Sequence, residues 1–290
     1  MLAISETSNG YFCFEWLITE DGPKIINCQH VNFKDSLSNS NTLKKVISLL
    51  EPNLKNEPQS LSISLNNYNY NISEFEYDSK LGKKESVFWY EQTFLDNEFK
   101  KSHDLFYYPL HEKKSLLVLS IAKKIKKQLI ENSLDLGYDL IYISADIFSA
   151  STGVKQIYKL NKNTSYIIWK LAKSNYHYLL YYKKGLLCAY LKVKKNNKSI
   201  KVCIDIGKRN YLNGMIEFVF STLINKKYND NFKNVYIYQT KINKKNLHDV
   251  LNVNKNIKII DLSPVTLNEN NQLKYIQYAE NGISFKGLDV

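Results

Sequence analysis

Arginine is almost missing from this chain: of its 40 basic residues only Arg209 is one. Dedicated phosphate readers recruit arginine, whose planar fork takes two oxygens at once. The net charge of +12 therefore does not by itself make a nucleic-acid or anionic-lipid binder. Lysine, asparagine, isoleucine and tyrosine are abundant together, as an AT-rich coding sequence would make them without any selection for a partner. Cysteine is scarce and dispersed. Cys13, Cys28, Cys188 and Cys203 form no C-x-x-C pair, which excludes the common zinc and dithiol sites, and all four fall in apolar strand-like runs that suit buried free thiols. His30, His103, His111, His177 and His248 follow no metal-binding spacing, so no metal site is expected. Long apolar runs are absent too. The most apolar stretch, 116–122, is far shorter than a membrane span, and residues 1–10 show neither the basic nor the apolar region of a signal peptide. A cytoplasmic protein is expected.

Chemistry-bearing constellations are also lacking. Ser64, Ser144 and Ser149 stand in no G-x-S-x-G context. Asp146 reads as an acid at a helix start, favourable to the dipole there, and Asp139 as its unrelated neighbour on the preceding strand. No catalytic residue is expected.

What is present suffices for a real core: 44% of the 290 residues are hydrophobic and 13% aromatic. Strands are predicted over 2–6, 11–19 and 24–33, with Asn9-Gly10 as a hairpin turn. A helix follows over 43–50, stopped by Pro52, then a strand over 61–65. Residues 66–109 break the rhythm, first Asn-rich and then aromatic, and are expected to form a small inserted subdomain with a short helix around Trp89. The apolar run 115–120 suits a central strand. Ile121, Ile125, Leu129 and Ile130 mark one face of a helix ending at Gly137, before a strand over 140–144 and a helix over 146–154. From Ser165 the order restarts: strands over 165–172, 176–182, 186–194 and 201–206, a helix over 212–226, a strand over 235–240, a helix over 247–251, a strand over 257–262 and a last helix over 273–285. Two halves, 1–157 and 158–290, thus share one plan. A duplicated mixed α/β unit opening on a three-stranded meander is the layout of the actin-like and ribonuclease H-like fold, which does not fix function.

Three segments in order, VFWYEQTFLDNEF, LFYYPL and KKSLLVLSIAKKIKKQLIENSLDLGYDLIYISADIFSAS, resemble the central part of the type IV pilus assembly protein PilM family. The spacing from Trp89 through Gly137 to Asp146 fits, and YIQYAENGISFKGL resembles the family's last helix. The resemblance implies an actin-like protein at the cytoplasmic face of the inner membrane, in a type IV pilus or type II secretion-like machine. There it would bind the short N-terminal cytoplasmic tail of a single-span, PilN-like partner. Many members bind ATP.

The ATP chemistry of that family has lapsed at three places here. Two hairpins should bring backbone N–H groups to the phosphates through glycines, each with an Asp for Mg²⁺. The first instead carries Ile4-Ser5-Glu6-Thr7, and the second Ile168-Trp169-Lys170-Leu171. The adenosine turn is Lys241-Ile242-Asn243, without glycine. The hairpin 165–185 is therefore expected to serve as a core strand pair, with Lys170, Lys173, Lys183 and Lys184 as solvated strand ends. Asp205-Ile206-Gly207 matches Asp-x-Gly but follows the wrong strand. The expected function is a non-catalytic scaffold without cofactor. Phe88, Trp89, Glu91, Phe94, Phe106, Tyr107 and Tyr108 would hold the partner, or else form the insertion's own small core. Two alternatives stay open: a diverged ATP-binding protein using Glu6 and Asp205, and a lysine-rich nucleic-acid binder of ribonuclease H-like fold.

Overall fold

The computed structural model describes residues 1–7, 10–19, 22–32, 35–50, 59–78, 80–196, 199–223, 232, 234–239 and 258–262. The helices expected over 247–251 and 273–285 and the turn at 241–243 lie outside them.

The first sheet has five strands in the order β3-β2-β1-β4-β8: β1 (Leu2–Glu6), β2 (Tyr11–Thr19), β3 (Gly22–Val31), β4 (Gln59–Leu65) and β8 (Tyr138–Ala145). The meander β1-β2-β3 is antiparallel, while β4 runs parallel to β1 and β8 parallel to β4. The crossovers are α1 (Ser40–Leu50), from β3 to β4, and α4 (Lys123–Asp135), which leads into β8; after β8 comes α5 (Asp146–Ile157). Gly137 ends α4 as expected, at φ +80°, with its N–H donated to the Leu134 carbonyl at 2.9 Å. Gly10 does more than make a turn. A Cβ there would lie 1.9 Å from the Val31 carbonyl oxygen.

The second sheet repeats that order with one strand added at an edge: β12-β11-β10-β9-β13-β14. Its strands are β9 (Tyr166–Leu171), β10 (Tyr176–Lys183), β11 (Leu186–Lys195), β12 (Ile200–Gly207), β13 (Asn234–Gln239) and β14 (Lys258–Asp261), with α6 (Arg209–Leu223) before β13. Again the meander is antiparallel, and β13 and β14 follow β9 in parallel. Of the four cysteines only Cys13 and Cys188 are buried. Cys203 is exposed, because it sits on the added edge strand β12.

The insertion is larger than residues 66–109. It is a separate three-stranded sheet, β5-β7-β6, built from β5 (Tyr70–Glu76), β6 (His103–Pro109) and β7 (Ser115–Ala122), with helices α2 (Lys83–Thr93) and α3 (Asn97–Ser102). The run SLLVLSIA is a central strand as predicted, but of this small sheet and not of the main one. A buried apolar run states only that both faces are covered. Ile121 accordingly belongs to β7, not to the face of α4.

Along β9 the side chains alternate between two cores. Tyr166 and Ile168 join the largest core, together with Leu2 and Ile4 of β1, Leu117 and Leu119 of β7 and Ile147 of α5. Ile167 and Trp169 point the other way, against Leu212, Met215 and Phe218 of α6. There the Trp169 Nε1–H donates to His177 Nδ1 at 3.1 Å. Burial, with a smaller contribution from Lys195, holds the His177 imidazole down at about 4. The unfolded chain takes up this proton below about pH 6.5 while the folded chain refuses it. Stability carried by His177 is thus complete above pH 6.5 and is lost as the pH falls toward 4, by up to about 3 kcal/mol. Glu6, whose carboxyl burial pushes up, gives the opposite slope. The check is therefore the difference between wild type and His177→Gln in urea melts at pH 7 and pH 4.5, where the variant loses less stability. Parallel pH profiles would refute the assignment.

Candidate functional site

β1 and β9 are the first strands of the two sheets, and they carry Glu6 and Lys170 close to their C-terminal ends. Ser5 and Glu6 are both buried. Glu6 accepts hydrogen bonds from the Asn66 N–H at 3.0 Å and from Asn69 Nδ2 at 2.5 Å, both supplied by the turn between β4 and β5. Burial pushes its carboxyl above the usual range despite those two bonds.

Asp146 starts α5 and is wholly buried. Its Oδ1 accepts from the Tyr70 hydroxyl at 2.9 Å and from the Ile147 N–H at 2.8 Å, and its Oδ2 pairs with the Lys170 ammonium. The helix-start role read from the sequence is present, through the Ile147 N–H, but it is the smaller part. Lys170 is equally buried, which corrects its reading as a solvated strand end. It lies on the inward face of β9, in step with Tyr166 and Ile168, so it cannot reach water. Its ammonium also donates to Asn67 Oδ1 at 3.3 Å and stands 5.2 Å from the centre of the Tyr178 ring. Two of its three donors thus meet oxygen acceptors, and the Tyr178 ring adds a cation–π contact. Tyr70 stays protonated, first through burial and then through the charge of Asp146.

The Asp146–Lys170 pair offers no ligand to a magnesium ion. Magnesium requires about six oxygens in octahedral array, whereas both Asp146 oxygens are taken by internal donors and an ammonium stands where the second hairpin would offer an acid. Trp169, the neighbouring residue of β9, is buried on the opposite face against α6 and does not enter this centre. The chemistry available is charge neutralisation between the first residue of α5 and β9 of the second sheet. Of the other lysines, Lys183 meets Glu112 at 2.7 Å and Tyr211 at 2.8 Å. The bonds from Lys183 and Tyr211 hold the Glu112 carboxyl at about 2. Asp205 forms an i,i+4 pair with Arg209 on the surface. Ser64 donates to Ser149 at 2.8 Å inside the core.

The seven residues expected to hold a partner fall on different surfaces. Tyr107 pairs in register with Val118, on the face covered by Val87 and Tyr90 of α2, and donates to Glu91 at 2.7 Å. Phe106 and Tyr108 pair with Leu119 and Leu117, on the opposite face. Tyr108 stacks on Phe148 at 4.4 Å. Trp89 and Phe94 meet edge to face at 5.0 Å and both pack on Phe75, yet they remain 43% and 60% exposed, and Phe88 66%. The insertion's small core and an exposed aromatic surface thus coexist. The Asp146–Lys170 pair was missed in the sequence, although a lysine in phase with Tyr166 and Ile168 within an apolar strand was its signal.

No family model matches the chain, and no curated protein matches its sequence. Solved structures do match over almost the whole length. The PilM-PilN type IV pilus biogenesis complex aligns at a TM-score of 0.56 with 8% identity, over 98% of this chain and 97% of the other. A protein of actin-like ATPase fold and unknown function from Bacteroides thetaiotaomicron aligns at 0.47 with 13% identity, over 97% and 95%. The cytoplasmic domain of EpsL, an inner-membrane component of the type II secretion system of Vibrio cholerae, aligns at 0.44 with 8% identity, over 99% and 95%. The chain has the actin-like ATPase fold. Among its described residues no helix is long and apolar enough to cross a membrane.

Proposed function

We propose that this chain is a nucleotide-independent actin-like scaffold of a type IV pilus or type II secretion-like assembly platform. Its two lobes, 1–157 and 158–290, are joined at the Asp146–Lys170 pair. It works by holding the cytoplasmic tail of a single-span inner-membrane partner, PilN-like, and through that partner it resides at the membrane. The observation that carries the reading is the buried ammonium of Lys170 on Asp146, an internal cation at the centre where the fold's nucleotide chemistry would need a carboxylate and a metal. Support for the partner comes from the likeness in fold to the PilM-PilN complex and from the exposed aromatics of the insertion.

Millimolar MgATP is expected to leave the melting temperature unchanged, whereas binding at a hundredfold excess over Kd would add about 2.7 kcal/mol. A crosslinked pull-down from native membranes at physiological salt is expected to recover a single-span protein with a short cytoplasmic tail. A clear MgATP shift, or recovery of nucleic acid in place of a membrane protein, would overturn the proposal.

A further inference from the structure

β6 is an edge strand: in the order β5-β7-β6 it pairs with β7 on one side, and among the described residues no strand pairs with it on the other. Edge strands are normally blunted by lysines, prolines, bulges or a covering element, because their free N–H and C=O groups invite another strand. Between Leu105 and Tyr108 there is neither lysine nor proline, and the pairing with β7 runs without a bulge. Proline comes only at the end, at Pro109.

A groove of about 600 Å³ follows this edge. One wall is Lys83, Lys84 and Val87 of α2, and the other is four successive residues, Leu105 to Tyr108. Successive strand residues point to opposite faces, so a groove lined by all four runs along the strand's edge with the backbone between them. Phe106 is exposed there. Lys83 and Lys84 are exposed in the first turn of α2, and among the described residues neither is ion-paired. The one acid of that turn, Glu85, is folded back onto the Gly82 N–H at 3.0 Å. The groove therefore offers free backbone groups, apolar side chains and two uncompensated cations.

We propose that a short extended segment of a partner protein, with acidic residues alternating with apolar ones, adds to β6 as a fourth strand in this groove. Backbone hydrogen bonds would supply affinity, and the two lysines would supply selectivity for acid. A second copy of this chain is a poor occupant, since a net charge of +12 repels itself. The proposal deepens the platform reading, on which it rests for the partner's identity.

The test is fluorescence anisotropy on the full chain with a labelled peptide of alternating glutamate and valine, its lysine–valine counterpart, and a version N-methylated at alternate amides. The glutamate peptide is expected to bind, and the other two at least about tenfold more weakly, a difference of about 1.4 kcal/mol. The double variant Lys83→Glu/Lys84→Glu should reverse the charge preference while its melting temperature stays near that of wild type. Absent binding, binding indifferent to N-methylation, or binding indifferent to the two substitutions would overturn the proposal. So would concentration-dependent self-association that Phe106→Lys abolishes. The same double variant separates the two readings in the membrane pull-down. Partner recovery undiminished by it refutes the groove and leaves the platform standing. Expected peptide behaviour with no membrane partner recovered refutes the platform and leaves the groove.

Discussion

Lys170→Met is expected to cost the fold about 3–5 kcal/mol, because it leaves the wholly buried Asp146 carboxylate without its counter-charge. A domain with ordinary stability of about 5–15 kcal/mol would then be marginal. The isolated substitution looks mild, an apolar side chain of similar length in an apolar strand, and its cost comes from the partner left behind. Removing that charge as well should return much of the loss. In the double variant Lys170→Met/Asp146→Asn the amide oxygen at position 146 can still accept from Tyr70 and from the Ile147 N–H, the bonds Asp146 makes now. Recovery of at least about 2 kcal/mol is expected there. Urea denaturation of both variants and of wild type measures it, and where Lys170→Met does not fold at all, folding of the double variant is the readout. A loss below about 1 kcal/mol for Lys170→Met would mean that the pair is solvated and that α5 and β9 are held by apolar packing alone.

Gly207→Ala carries the second large effect, about 3 kcal/mol or more, from two independent causes. Gly207 sits at φ +124°, a conformation that costs a side chain of ordinary handedness about 1–3 kcal/mol. A Cβ there would also lie 2.5 Å from the Cys188 carbonyl oxygen and 2.9 Å from Ala189 Cα, across the β11–β12 ladder, adding an overpacking cost of about 1–3 kcal/mol. Backbone, not a flexible side-chain end, is what it meets. The glycine of Asp205-Ile206-Gly207 thus has a structural reason that needs no phosphate. Its companion Asp205 pairs on the surface with Arg209, and such exposed pairs contribute less than about 1 kcal/mol. Asp205→Asn should accordingly change the urea midpoint little, while Gly207→Ala lowers it strongly. The reverse ranking would make the tripeptide a functional motif again.

Much of the architecture was legible because periodicity is local. The meanders β1-β2-β3 and β9-β10-β11, the helix behind Leu43, Val46 and Ile47, and the stop at Gly137 each follow from a few neighbouring residues. β5 was missed because Asn66 to Asn71 looks like loop, and only Tyr70, Ile72 and Phe75 are buried along it. The run 115–122 announced a central strand but not its sheet. That depends on pairing with β5 and β6, and a strand's own sequence does not encode its neighbours. Likewise Phe106, Tyr107 and Tyr108 formed one aromatic cluster in the sequence and two opposed faces in the fold, as the alternation of any strand requires.

The order of elements of the two main sheets and the lapse of the acid and glycine pattern in the first turns of each half are properties of contiguous residues, so they could be read from the sequence. What replaces that pattern emerged only from the packed chain. Lys170 is one lysine among many until β9 turns its even-numbered face inward and α5 delivers Asp146, 24 residues earlier in the chain, to the same point. A buried charge is tolerated only where an opposite charge is brought to it, and that meeting is made by the packing of α5 against β9.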